Sequence, residues 1–216
     1  MNNEANSRIR LSASLKPAGS PASEEDAALV KLSQGGSMDA FEQLVIRHQK
    51  RMLNVAFRLT SDYDDACEIV QDAFVSAFRN IRTFRREAKF TTWLTTITVN
   101  LSKNRLQQRK SLREHVTARL DDPLWLEDIE IAREALSREP SALDVLEKRD
   151  VLQQVRDCIK ALDPEYRELI VLRDMQDFSY DDIGAMLCLR EGTVKSRLFR
   201  AREAVKICLK KVMGAL

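Results

Sequence analysis

The chain has 216 residues, 44% of them hydrophobic and 31% charged, with 35 Lys and Arg against 33 Asp and Glu. That length admits one large domain or two small ones, with enough apolar residues for packed cores and enough charge for solubility. Six Gly and five Pro among long runs of Ala, Leu, Glu, Arg and Lys favour helices, and no apolar run approaches the length of a bilayer span.

In chain order, "MNNEANSRIRLSASLKPAGSPAS" carries charge, Ser and Pro without a continuous apolar core, so residues 1–23 read as a flexible tail and not as a secretion signal. Helical periodicity starts near Glu24 and breaks at Gly35-Gly36. In "DAFEQLVIRHQKRMLNVAFRLT", Phe41, Leu44, Val45, Met52, Val55, Ala56 and Leu59 fall largely on one side of a second helix. Ser61 and Asp62 are N-cap candidates for a third, roughly Asp64 to Asn80. "IRTFRREAKF" interrupts the pattern, and a fourth helix resumes around Thr91 with Trp93, Leu94, Ile97, Val99 and Leu101 as its apolar set.

Periodicity weakens from Arg113 to Ser141, where Asp121-Asp122-Pro123 and Glu139-Pro140 read as stops in an extended or partly helical linker. A second helical domain begins at Ala142. Asp163-Pro164 opens one of its helices, with Pro at the first helical position. Ser179 and Asp182 resemble a capping box that opens "YDDIGAML", and a break near Cys188–Arg190 precedes the last helix. The expectation is all-α: a four-helix domain over 24–112, an acidic linker over 113–141 and a helix-turn-helix domain over 142–216.

The four cysteines, Cys67, Cys158, Cys188 and Cys208, form no CxxC pair and sit at or near apolar-periodic positions. Buried free thiols in a reducing cytoplasm are expected. Neither His48 nor His115 lies near a cysteine or acid at metal-ligand spacing, so no metal and no cofactor is expected.

Charge is unevenly placed. Arg79 to Arg113 holds ten Lys/Arg against one acid (10 − 1 = +9), and Leu187 to Lys211 holds eight against two (8 − 2 = +6). Asp121 to Pro140 holds two against seven (2 − 7 = −5). Two basic lobes flanking an acidic strap point to a polyanion gripped at two places, with solvated helix faces as the alternative.

In the last helix Val194, Leu198, Ala201 and Val205 share a narrow arc, while Ser196, Phe199, Arg200 and Glu203 lie opposite with Lys195 at the edge. Small Gly184 and Ala185 let the preceding helix approach. This pattern fits a helix-turn-helix whose second helix enters the major groove. Arg200 suits a guanine edge, Ser196 a base or phosphate, and Phe199 a thymine methyl, or else a protein neighbour. Lys195, Arg197 and Arg202 suit phosphates.

Four stretches together resemble the extracytoplasmic-function (ECF), sigma-E-like sigma factors of the sigma-70 family. "DYDDACEIVQDAFVSAFRN" resembles the polymerase-docking region, "FRREAKFTTWLTTITVNLSKN" the minus-ten-reading and melting region, and "LDPEYRELIVLRDMQDFSYDDIGAMLCLREGTVKSRLFRAR" the minus-thirty-five-reading domain. The acidic linker is the fourth. The resemblance implies an alternative sigma factor used in stress responses, cytoplasmic and not an enzyme. It implies binding to core RNA polymerase (the clamp region of the beta-prime subunit), to promoter DNA and to an anti-sigma factor, without membrane insertion. Asp65, Glu68, Gln71 and Asp72 would dock on polymerase, although a solvated acidic face is the alternative from the residues alone. Phe84 would line a pocket for a flipped base, or else anchor the core. Asn100 and Asn104 would contact unpaired bases, with Lys103, Arg105 and Arg109 holding the backbone, while Trp93 reads as core. Thr193, Lys195, Ser196, Arg197, Phe199 and Arg200 would serve the minus-thirty-five element. The glycine often found in a helix-turn-helix turn is absent; Cys188 or Leu189 stands there. A stand-alone activator or repressor and a DNA-processing enzyme are the rival classes.

Overall fold

The computed structural model describes residues 21–85, 87–115 and 142–214. The tail before residue 21 and the strap between residues 116 and 141 lie outside the described residues. In the N-terminal half, α1 (Pro21–Gln34) lies along α2 (Met38–Thr60), and α2, α3 (Tyr63–Asn80) and α4 (Phe90–His115) pack on one another. A 3-10 turn (Ile81–Thr83) leads out of α3. In the C-terminal half, α5 (Ala142–Lys160) and α6 (Pro164–Ile170) flank α8 (Glu191–Met213), and α7 (Tyr180–Leu187) precedes it. α6 continues into a π turn, Val171–Met175, a widening the sequence pattern does not announce.

Local chemistry sets the boundaries. Ser37 accepts the backbone N–H of Ala40 to cap α2, and Asp62, of the two cap candidates, accepts that of Asp65 to start α3. The other candidate, Ser61, instead ends α2 in the left-handed region at φ 57°. Ser179 Oγ accepts the N–H of Asp182 at 3.1 Å and donates to its carboxylate at 2.6 Å, so these two residues do open α7.

The expected apolar stripe of α2 is buried at Phe41, Leu44, Met52, Val55, Ala56 and Leu59. α4 differs from expectation: every residue from Thr92 to Val99 is buried, not one face only. Its hydroxyls survive burial by bonding back one turn, Thr96 to the carbonyl of Thr92 at 2.8 Å, Thr98 to Leu94 at 3.0 Å and Ser102 to Thr98 at 2.8 Å. The reason is position, because α4 packs on α2 and α3 and also meets α7.

The two halves share a core. Val55, Leu59 and Val99 join the cluster built on Leu169, Leu172, Ile183, Val194 and Leu198. Arg51 donates to the side chain of Gln176 at 2.9 Å and to its carbonyl at 2.7 Å, with its guanidinium 5.0 Å above the Phe178 ring. Arg167 donates to Leu59 O at 2.9 Å and to the carbonyls of Lys160 and Leu162, so one guanidinium satisfies the carboxyl-terminal ends of α2 and α5. Lys103 on α4 pairs at 2.9 Å with Glu168 on α6.

The expectation of four buried free thiols is corrected. Cys158 and Cys208 form a disulfide with Cα atoms 5.7 Å apart that ties α5 to α8, and Cys67 and Cys188 are free but exposed. The bridge closes a loop at a sequence separation of 50 and stabilises the fold by about 4 kcal/mol in the chain-entropy account. His48 also finds a partner that spacing did not suggest: its Nε2 lies 2.9 Å from the buried Asp26 carboxylate. Burial pushes the Asp26 carboxyl up, but hydrogen bonds from His48 and Arg47 outweigh it and hold the group below its ordinary value.

Candidate nucleic-acid interface

The turn between α7 and α8 is tight because of two residues. Cys188 adopts φ 55°, ψ 41° and donates its N–H to Gly184 O, taking the left-handed position that a glycine would fill more easily. A Cβ on Gly184 would stand 2.8 Å from the carbonyl oxygen of Leu189, so only glycine permits this approach. α8 is thereby fixed with Val194, Leu198 and Ala201 fully buried.

The opposite edge of α8 is bare. Lys195, Ser196, Phe199 and Arg200 are exposed, Phe199 by 66%. Among the described residues no aromatic ring stacks on Phe199 and it belongs to no apolar cluster. The Arg200 guanidinium has no hydrogen bond or ion pair with any described residue. Lys195 pairs with Glu191 at 2.6 Å, which raises its pKa, and its ammonium lies 5.7 Å from the Tyr180 ring. Ser196 Oγ donates to Thr193 O at 3.1 Å. Thr193 is half-buried in the first turn.

Two residues expected to hold phosphates are ion-paired within the chain. Arg197 reaches Glu165 at 2.7 Å, and Arg202 reaches Asp174 at 2.5 Å, which holds its pKa above the ordinary value. They brace α8 against α6 and the π turn. Beside Arg202 lies an apolar groove of about 400 Å3 walled by Ile170, Val205 and Leu209 and rimmed by Lys206 and Lys210.

In the N-terminal half the structure pairs residues that the sequence reading assigned to different partners. Arg105 bonds Glu68 and lies 3.3 Å from Asp65, while Arg109 reaches Asp65 at 2.6 Å and Asp62 at 3.1 Å. Asp65 and Glu68 therefore face the basic edge of α4, and only Gln71 and Asp72 of the acidic set stand exposed without an ion pair. Asn100 and Asn104 are exposed one turn apart, with their amides unengaged by the described residues. Lys103 is taken up by Glu168.

Phe84 takes the core-anchoring position that was its alternative role. It is 9% exposed, stacked on Trp93 at 4.7 Å between centroids and set edge-on to Phe90. Gln34 Nε2 donates to its carbonyl at 2.8 Å and to that of Ile81 at 3.0 Å, anchoring the loop to α1. The ring is packed in the core while the loop's charged residues Arg82, Arg85, Glu87 and Lys89 take the surface positions. Trp93 is core, as expected. Gln34, Arg51, Arg167 and Glu168 were absent from the sequence reading, since each acts on a residue far along the chain and no local pattern marks it.

This fold and this face define a helix-turn-helix DNA-binding protein with a second helical domain. Models of sigma-70 region 2 and sigma-70 region 4 match residues 44–112 and 152–205. The chain is 31% identical to the RNA polymerase sigma-H factor of Pseudomonas aeruginosa, over 88% of its length and 96% of that protein. It is 35% identical to the ECF RNA polymerase sigma-E factor of Haemophilus influenzae, over 84% and 93%. Among solved structures, the sigma factor RpoE of Bartonella quintana, in complex with the anti-sigma factor NepR, superposes with a TM-score of 0.62 at 25% identity, covering 79% of this chain and 96% of that one. The chain belongs to the ECF group of the sigma-70 family and is an alternative sigma factor, a protein that directs promoter-specific transcription initiation.

Proposed function

We propose that the chain joins core RNA polymerase in the cytoplasm, with residues 24–112 docking on the clamp and capturing the minus-ten element as it opens. Residues 142–216 read the minus-thirty-five element as duplex. Gln71 and Asp72 offer the free part of the docking face, with Asp65 and Glu68 released to it when Arg105 and Arg109 turn to the DNA backbone. Asn100 and Asn104 present amides to unpaired bases. On α8, Arg200 reads a base edge, Phe199 meets a thymine methyl, and Lys195 and Ser196 hold flanking groups, with Thr193 at the helix start; Arg197 keeps the helix on its seat. The observation that carries this reading is an aromatic ring and an unpartnered guanidinium side by side on the outer edge of a helix whose inner edge is sealed in the core.

Packing of the two halves supports a resting state that opens on the enzyme. Elements centred about 25 base pairs apart lie about 85 Å apart along the duplex. A compact chain of this length is only about 45 Å across. The shared core and the Lys103–Glu168 pair therefore separate before both elements are held, and polymerase fixes the spacing that gives two weak grips their joint strength. An anti-sigma factor that holds the halves together would keep the factor idle, a reading supported by the relative solved with such a partner.

The test is run-off transcription with core polymerase on a selected promoter. Arg200→Ala is expected to weaken promoter engagement by about tenfold or more, the worth of one base contact. Asn100→Ala is expected to leave initial docking intact and slow strand opening. Wild-type activity in both variants would refute the assigned faces.

A further inference from the structure

The anchoring of α8 is unequal along its length. Its DNA-facing half is held by Val194, Leu198 and Ala201, all but fully buried. Beyond Ala201 no described residue of α8 is fully buried; Ala204 and Val205 rest partly buried on the domain's apolar cluster, and Cys208 is bonded to α5. α5 is itself lightly held: Val151 and Leu152 are exposed, and its inward contacts come from Val155, Cys158 and Ile159. Cys158 is buried at 1% and Cys208 is half-buried, so the bridge runs from the core to the edge of the domain. Reduction keeps both sulfurs in place as thiols, so it lifts the cross-link without emptying the core, which a two-state device needs.

We propose that Cys158–Cys208 is a reversible thiol–disulfide latch. Closed, it makes the C-terminal half of α8 and the groove beside it rigid; open, it frees them, while the DNA-reading half is unaffected in either state. The position of the groove gives the latch an output, because Val205 and Leu209 wall it from the same turns that carry Cys208. The physiological setting rests on the proposed function above. A factor working beside polymerase occupies a reducing compartment, where disulfides that form are transient and sensing.

The chemistry balances with a small thiol and its disulfide as the redox couple. A thiolate attacks Sγ of Cys208, the more accessible sulfur, and the Cys158 sulfur leaves as thiolate and takes a proton. A second small thiol resolves the mixed disulfide, releasing Cys208 as a thiol and the small molecule as its disulfide. Two electrons enter the protein, and oxidation by the small disulfide is the reverse.

The full-length chain, equilibrated in glutathione buffers from oxidising to reducing and then in dithiothreitol, is alkylated and weighed intact. Reactive thiols are expected to rise from two, Cys67 and Cys188, to four in one two-electron step. Hydrogen–deuterium exchange on the two end states is expected to accelerate about tenfold or more in residues 202–212 and 151–158 on reduction, and to stay unchanged in 191–201. Cys158→Ser and Cys208→Ser should exchange like the reduced wild type in any buffer; should either fail to fold, the reduced wild type carries the comparison. Four thiols at every poise, two thiols even in dithiothreitol, or equal exchange in both states would overturn the latch. So would loosening that spreads into 191–201. Run-off transcription is read separately and is expected to change by about threefold or more between oxidised and reduced wild type, but not in Cys158→Ser. Equal output from both redox states overturns the regulatory role, whereas absence of transcription in every state indicts the reading of function and leaves the exchange result standing.

Discussion

At the residue scale, solvent and neighbours decide between roles that one side chain supports equally well. Phe84 and Phe199 are both aromatic residues beside basic ones in the sequence, and the structure separates them: one is stacked on Trp93, the other bare. Phe84→Ala should therefore unfold the N-terminal half more easily, by about 3–5 kcal/mol, as for other buried aromatic truncations. Chemical denaturation checks it, and a variant of unchanged stability with a strand-opening defect would return Phe84 to the base pocket. The basic residues divide likewise. Arg197 and Arg202, expected to hold phosphates beside Arg200, flank the apolar arc more closely and pair with acids from α6 and the π turn. The acids Glu165 and Asp174 sit about thirty residues upstream, where periodicity in α8 carries no information about them.

At the element scale, the helix-turn-helix shows how far local chemistry reaches. The apolar arc of Val194, Leu198 and Ala201, the Ser179 cap and the small residue at Gly184 were legible because each depends on neighbours within a few positions. The turn itself combines one good choice and one poor one. Gly184→Ala forces a Cβ to 2.8 Å from the Leu189 carbonyl and should destabilise the C-terminal half by about 1–3 kcal/mol. Cys188→Gly relieves a non-glycine residue at φ 55° and should stabilise by up to about 1 kcal/mol, the remainder after glycine's own entropy loss. Thermal melting of both variants checks the pair, and the same sign of shift in the two would contradict this account of the turn. α4 was less legible. Its threonines from Thr92 to Thr98 are buried, with Thr96 and Thr98 bonding back one turn and Thr95 facing the Met52 sulfur.

At the scale of the whole molecule, Glu168 carries the pH dependence of domain packing. Burial pushes its carboxyl up, and the Lys103 ammonium pulls it down by less. A carboxyl raised by packing favours the packed state when protonated. That contribution is fully present below its ordinary value near 4.5 and is lost as pH rises through the raised value. The closed arrangement should thus tighten as the solution is acidified from neutrality toward pH 5, and Glu168→Gln should remove that dependence. Lys103→Ala, which strands the buried carboxylate, should open the halves at neutral pH at a cost of about 2 kcal/mol, less than for a fully buried pair because Lys103 is partly exposed. Energy transfer between dyes on the two halves measures both. A pH-independent distance in the wild type would rule out this role for Glu168.

The sequence by itself determined the helices, their caps, the division into two helical halves and the outward edge of α8. These depend on the 3.6-residue period and on residues within one or two turns of each other. Tertiary structure alone decided that Cys158 meets Cys208, that Asp26 holds His48, that Asp65 faces Arg105 and Arg109, and that Lys103 spends its charge on Glu168. Those pairings join positions 22 to 65 residues apart. At such separations the path of the backbone, and not any local preference, chooses which charges and sulfurs come within reach.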